Sequence, residues 1–439
     1  MRYEHAGRFW TITRVGSVLT IISGKIGNKG RTVVKHHPNE GAALSAHDQL
    51  VLEKQREGYR IAADAPVKAP AAEAPPDDRG AGLEEAIAAN PDDASAFAVY
   101  GDWLQKHDDP RGELIALQHA TGPKAAAAVG KHIAQHAARL LGPLAHLVRD
   151  VRDPNAAPFF WKHGFIRRAE LGSQKEFALD QVVAELLAHP SAKFLVELAI
   201  RAFDRKEALA IIDHVRTTAP PTVRELDLFA RANLDRIDRT LWLALPRLER
   251  LTITARAFEL EGFAIPALVR GKFVATNMSS SAVQSIAIAP WPVLERLEIR
   301  FCGVRGTTEA DFHDLRPLLL RTDMPKLTHL KLRGCAFAGA VARTLAASPL
   351  SRQLHVIDFS AGDFSPQDLQ TLAAHASNFP NLRELWLPYT YVNSSVEKML
   401  APVAKRVLPD SKGPIDSVDY DLAGETVPRG EPRYGGIRE

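Results

Sequence analysis

Cysteine is almost missing from this chain. Cys302 and Cys335 are the only two in 439 residues, too few for a disulfide framework, which excludes the small cross-linked secreted scaffolds. No run of about 18 apolar residues exists, so no segment reads as a membrane-spanning helix. The opening MRYEHAGRFW has no apolar stretch of the kind a secretion signal carries. These absences predict a cytoplasmic protein with no membrane contact. An excess of charge of one sign is also lacking, with 55 Lys/Arg against 52 Asp/Glu for a formal net of +3. Ten Lys/Arg and five Asp/Glu fall in residues 1–62, so that segment carries +5 and the other 377 residues carry −2. The basic character belongs to the N-terminal part. A phosphate-binding P-loop, a Gly-x-Ser-x-Gly elbow, an HExxH pair and a cysteine in a nucleophile's setting are all lacking. The expectation is a protein without catalytic residues, cofactor or metal.

What is present in quantity is a pattern of leucine, two residues, leucine, one residue, aliphatic. It recurs as LVELAI, VRELDL, LERLTI, LERLEI, LTHLKL, LHVIDF and LRELWL, centred on Leu198, Leu226, Leu251, Leu297, Leu330, Ile357 and Leu385. The spacings of 28, 25, 46, 33, 27 and 28 residues suit leucine-rich repeats with a helix in each unit, and the 46 reads as hiding one irregular coil. The fold class expected is α/β: a curved solenoid of parallel strands inside and helices outside, behind a small sheet-plus-helix domain and a helical connector. A stack of this kind presents surface and carries no chemistry of its own, so binding is expected before catalysis.

Residues flanking each central leucine alternate outward on the strand and line the concave face. They run from acidic Glu197, Glu225 and Asp227, through Arg250, Arg296, Glu298, Arg300, His329, Lys331 and Arg333, to Asp358, Glu384 and Trp386, with Tyr389 and Tyr391 just beyond. An acidic protein partner is expected across the basic middle, anchored on the aromatic end. Its contacts are Arg296, Arg300, His329, Lys331, Arg333, Trp386 and Tyr389. The competing arrangement has the C-terminal tail folding over Trp386.

The rest of the chain divides by composition. Residues 1–62 alternate as short strands (Phe9 to Ile12, Val18 to Ile22, Thr32 to Val34), then give a helix from about Gly41 to Glu57 with an apolar stripe at Ala43, Leu44, His47, Leu50 and Val51. Residues 63–79 are rich in Ala and Pro and read as a linker. Residues 80–170 form a helical connector, in which Asp92 or Asp93 and Asp109 cap helices and Pro110 takes a first helical position. Trp161 to Leu171 reads as one strand leading into the solenoid at 171–405, and 406–439 reads as an irregular tail.

Two families resemble parts of this sequence. FWTI at Phe9 to Ile12, GKIGNKGRT at Gly24 to Thr32 and LVLEKQREGY at Leu50 to Tyr59 resemble the WGR domain, the small sheet-and-helix module of poly(ADP-ribose) polymerases and many bacterial proteins. Where the family has Trp-Gly-Arg, this chain has Ser23-Gly24-Lys25. The resemblance implies a nucleic-acid contact, and Lys25, Lys29, Arg31 and Lys35 around the Gly-rich turn are the residues to carry it. NPDD at Asn90 to Asp93, GDWL at Gly101 to Leu104 and DPRGELIALQ at Asp109 to Gln118 resemble the bacterial repeat-companion domain found beside leucine-rich repeats. The combination looks like multidomain proteins of myxobacteria and related bacteria.

Three further groups read as structural. His132 and His136 share a helix face but have no third ligand at a telling spacing, so they read as a surface pair. Cys302 and Cys335 each lie five residues after a central leucine, 33 apart, and read as an inward-facing ladder at equivalent points of successive coils, with Thr390 in the same phase. Tyr100 and Trp103 are spaced for one helix face and read as core. The sequence thus predicts a non-catalytic recognition or scaffold protein; the alternative is an enzyme with its site between the helical connector and the solenoid.

Overall fold

A computed structural model of the chain describes residues 2–15, 18–26, 28, 30–37, 40–61, 78–120, 124–148, 158–175, 177–301 and 308–410. The chain divides into two compact units, Met1–Asp78 and Arg79–Glu439.

In the first unit β1 (Arg2–His5), β2 (Arg8–Val15), β3 (Val18–Lys25), β4 (Arg31–His36) and β5 (Arg60–Ile61) form one antiparallel sheet in the order β4-β3-β2-β1-β5, with α1 (Glu40–Arg56) between the last two strands in sequence. Strand alternation puts Trp10 and Ile12 of β2 and Leu19 and Ile21 of β3 on one face with Tyr3, where Ala46, Leu50 and Val51 of α1 cover them. Leu44 is 48% exposed, so the covering stripe runs through Ala43, Ala46 and Leu50 and leaves it outside. The β3–β4 crossing is too tight for side chains. A Cβ on Gly24 would stand 2.7 Å from the Gly30 Cα, and Gly30, at φ +73°, has the Phe9 ring against it.

The second unit opens with helices α2 (Asp78–Ala89), α3 (Ala94–Lys106), α4 (Pro110–His119), α5 (Ala125–Gln135) and α6 (Ala137–Leu140). Asp93 caps α3 by accepting from the amides of Ser95 and Ala96, and Asp109 caps α4 by accepting from Arg111, with Pro110 at the first position. Tyr100 is buried, stacks on Trp103 and donates its hydroxyl to Glu84. His132 corrects the surface-pair expectation: it is buried, with Nε2 at 2.8 Å from the Pro110 carbonyl, because α5 packs on α4.

Trp161 to Leu171 is a hairpin, β6 (Phe159–Lys162) and β7 (Phe165–Gly172), rather than one strand. His163 and Gly164 both have positive φ, 52° and 77°, which is the two-residue turn whose twist suits a hairpin. Strands β8 (Glu197–Ala202), β9 (Glu225–Ala230), β10 (Asn233–Ile237), β11 (Arg250–Ala255), β12 (Ala257–Leu260), β13 (Arg270–Ala275), β14 (Arg296–Phe301), β15 (His329–Arg333), β16 (Val356–Asp358), β17 (Glu384–Leu387) and β18 (Arg406–Pro409) follow. β10 and β12 pair with each other; the remainder join β6 and β7 in one eleven-stranded sheet laid down in chain order, parallel at every step after the hairpin. Helices α7 (Leu179–Ala188), α8 (Arg205–Thr218), α9 (Arg239–Ala244), α10 (Ser280–Ile288), α11 (Phe312–Leu319), α12 (Ala338–Ala346), α13 (Pro366–Ala374) and α14 (Ser394–Leu400) connect them, packing on one another from α7 to α9 and from α10 to α14.

One register runs through this sheet. Ala169, Leu198, Leu226, Leu251, Gly271, Leu297, Leu330, Ile357, Leu385 and Val407 stand opposite one another in successive strands. All seven positions centred in the sequence pattern are in this row. The irregular coil inside the 46-residue spacing is β13, which enters the row at Gly271, and no helix intervenes between β11 and β13. A Cβ at Gly271 would meet the Phe273 ring at 3.0 Å, so the ring, fully buried, fills the volume a leucine holds elsewhere. The sheet exceeds its expected bounds at both ends, by the hairpin at 159 and by β18, whose Val407 continues the row into the segment read as tail. Residues 411–439, Cys302 and most of the expected linker lie outside the described residues. Cys335 is buried, and that burial pushes its thiol up to about 12, in keeping with a structural role.

Leu330 is fully buried in the middle of this row. Leu330→Ala should cost about 2–5 kcal/mol in a urea-unfolding measurement. A near-neutral effect would show that the row is not in this register.

Candidate recognition surface

Because alternate strand residues point to opposite faces, the positions either side of the buried row share the face away from the core. Before the row stand Glu225, Arg250, Arg270, Arg296, His329, Val356 and Glu384, and after it Thr252, Lys272, Glu298, Lys331, Asp358 and Trp386. They line one recess of about 560 Å³, with Asp410 also in its lining. Of the residues expected at a partner site, Arg296, His329, Lys331, Arg333 and Trp386 line it. Arg300 and Tyr389 do not. Arg300 lies further along β14, opposite Val274 and Arg333, and Tyr389 lies past the end of β17, 48% exposed, with its amide tied to Asp410. Tyr391 turns inward, donating its hydroxyl to the Phe364 carbonyl at 2.7 Å, so the aromatic end is Trp386 and Tyr389.

Arg270 and Lys272 were not legible from the leucine pattern. Their strand reads RGKFVA, with glycine in the slot where the others carry leucine. The usable signal was the alternation itself, two cations flanking a small residue ahead of Phe273 and Val274.

The ends of the recess are neutralised internally. Arg250 donates to Glu225 at 2.6 Å and lies 3.8 Å from Glu197, whose carboxyl is raised by burial and by Glu225. At the other end Glu384 takes Arg406 at 3.2 Å and the Trp386 indole at 3.1 Å, while Arg333 faces the buried Asp358 at 3.7 Å. The middle is positive. Burial and then the charges of Arg296 and Arg250 lower the proton affinity of Arg270, and burial followed by Arg296, His355 and Lys331 pushes His329 down to about 4.

In the first unit Lys25, Arg31 and Lys35 are all exposed. Register aligns them on one face: Arg31 is opposite Ser23, Lys35 opposite Leu19, and Lys25 two residues on from Ser23. Arg8, opposite Lys25, adds a fourth cation, which its distance from the Gly-rich turn in the sequence conceals. Lys29 lies outside the described residues.

Where the helices of the second unit meet its first strands, an aromatic cluster of Phe97, Tyr100, Phe165 and Phe194 fills the junction, and Asp92 pairs with Arg167 and Arg224 across it. This is the place where the alternative enzyme site was expected. Among the described residues no group of three or more His, Cys, Asp or Glu could hold a metal ion, and no helix is long and apolar enough to cross a membrane.

Residues 3–66 match the family model of the WGR domain. No curated protein matches the chain. Among solved structures, the crystal structure of a Bacteroides fragilis protein, a structural-genomics target, is similar at 16% identity and a TM-score of 0.41, covering 93% of this chain and 95% of that one.

Proposed function

We propose that this is a non-catalytic recognition protein. Its second unit is a leucine-rich-repeat solenoid whose open sheet face holds a protein partner, its helices 80–170 serve as a repeat-companion domain, and its WGR domain adds a contact to nucleic acid. The observation that carries the proposal is the single buried row from Leu198 to Leu385: it leaves charged and aromatic side chains of consecutive strands together on one recessed face. Trp, Tyr and Arg are the side chains that most often dominate binding energy, and Trp386 sits in that recess half-buried with its indole already oriented by Glu384. Trp386→Ala should weaken binding of the partner by about 2 kcal/mol with the unfolding midpoint unchanged, measured by titration against a protein that the full chain captures from a bacterial lysate. Unchanged capture would move the partner site off this face.

The nucleic-acid contact rests on the WGR match and on the shared face of Arg8, Lys25, Arg31 and Lys35. Binding without sequence preference and through phosphates should fall steeply with salt. The full chain should retard a DNA duplex at low salt, and the triple variant K25E/R31E/K35E should abolish it. Retardation that survives the triple variant would assign the contact elsewhere, and strong preference for DNA ends would contradict a contact made through phosphates alone.

A further inference from the structure

The middle of the recess narrows the acidic partner expected there to one form. Arg270 and Arg296 stand directly opposite each other on the adjacent parallel strands β13 and β14, whose separation is about 4.8 Å. Like charges so placed repel and destabilise the sheet. Glu295 and Glu225 offset this only in part at Arg270, where burial and then Arg296 and Arg250 outweigh them. Arg250, next in the row, is held by Glu225 and Glu197, and His329 on the other side is neutral at pH 7. In the second row Lys272 and Lys331 flank Glu298, one strand to each side. Among the described residues, none of these four cations has an ion pair or side-chain hydrogen bond.

Resting on the recognition proposal, we infer that the recess over β13–β15 is a site for an extended acidic peptide segment of the partner, with two carboxylates seated on Arg270 and Arg296 and an uncharged or donor group over Glu298. Three features favour this occupant. Guanidinium groups are planar and donate two parallel hydrogen bonds to a carboxylate. The positive stretch is short, bounded by Glu225 on one side and by Asp358 and Glu384 on the other, so it spans about 10 Å across three strands. Side chains at alternate positions of an extended peptide are about 7 Å apart, somewhat more than the about 4.8 Å between the two strands, a difference that two long arginine side chains can take up by splaying. A uniform polyanion such as a nucleic acid would instead meet Glu298 in the centre and find no unpaired cation at either end, where Arg250, Arg333 and Arg406 already face carboxylates.

The test is fluorescence anisotropy of a labelled AEAEA peptide against the full-length chain at low salt, with an AQAQA peptide as control. The AEAEA peptide should bind and the control should not. R270E/R296E should weaken binding about tenfold or more, and E298Q, which removes a repulsive charge while keeping the side chain's shape, should strengthen it about threefold. Absence of AEAEA binding, or binding indifferent to both variants, overturns the inference. So does tighter binding of pyrophosphate or of a single-stranded oligonucleotide that R270E/R296E abolishes, since the site would then be for phosphate. If the peptide fails while Trp386→Ala still impairs partner capture, the acidic-segment assignment is wrong and the recognition proposal stands; if capture too is indifferent to Trp386, both are wrong.

Discussion

The parallel register of one buried row is the constraint on which the second unit depends. A strand has a side-chain period of two, so a slip of one residue at any step would turn that strand's leucine outward and its charges into the core. The core therefore polices the register. It is continuous from Leu114 to Ala404 through sheet and helices, which couples each strand to the next. The exposed face inherits its order from this. Arg270, Arg296, Lys272 and Lys331 are brought together because Gly271, Leu297 and Leu330 are locked in line beneath them.

That inheritance has an electrostatic cost which the protein meets at the ends of the recess and leaves unmet in the middle. Arg250 lies against two glutamates and Arg406 against Glu384, arrangements that settle local charge without a ligand. Adjacent arginines on β13 and β14 have no such partner. Surface ion pairs contribute little to folding, so the difference between ends and middle bears on what the face can hold more than on how stable the sheet is.

Much of this was legible in the sequence. Leucines and isoleucines at a repeating interval mark buried positions, and all seven centres occupy the row. The features that escaped notice break that rule for identifiable reasons. Gly271 contributes no leucine because Phe273 occupies the volume, so β13 and its two cations were hidden inside a long spacing. The hairpin at Phe159–Gly172 turns on His163 in a left-handed conformation that sequence seldom announces. His132 reads as a surface residue until α4 supplies the Pro110 carbonyl. Alternation puts Arg300 on the open face, but alternation does not say how far along the strand the recess extends. In the first unit, the WGR motifs were readable at Phe9, Gly24 and Leu50 because tight glycine packing and strand alternation leave few substitutes.

β13 takes the unmarked place in the row and so delivers its cations to the open face. Single cysteines introduced along that strand, in a chain with Cys302 and Cys335 replaced by alanine, test it by the rate of maleimide labelling in the folded state. Arg270→Cys and Lys272→Cys should label rapidly, whereas Phe273→Cys should label only as fast as the core opens. Rapid labelling at 273 with protection at 270 and 272 would place the strand one residue out of register and remove the recess from the account.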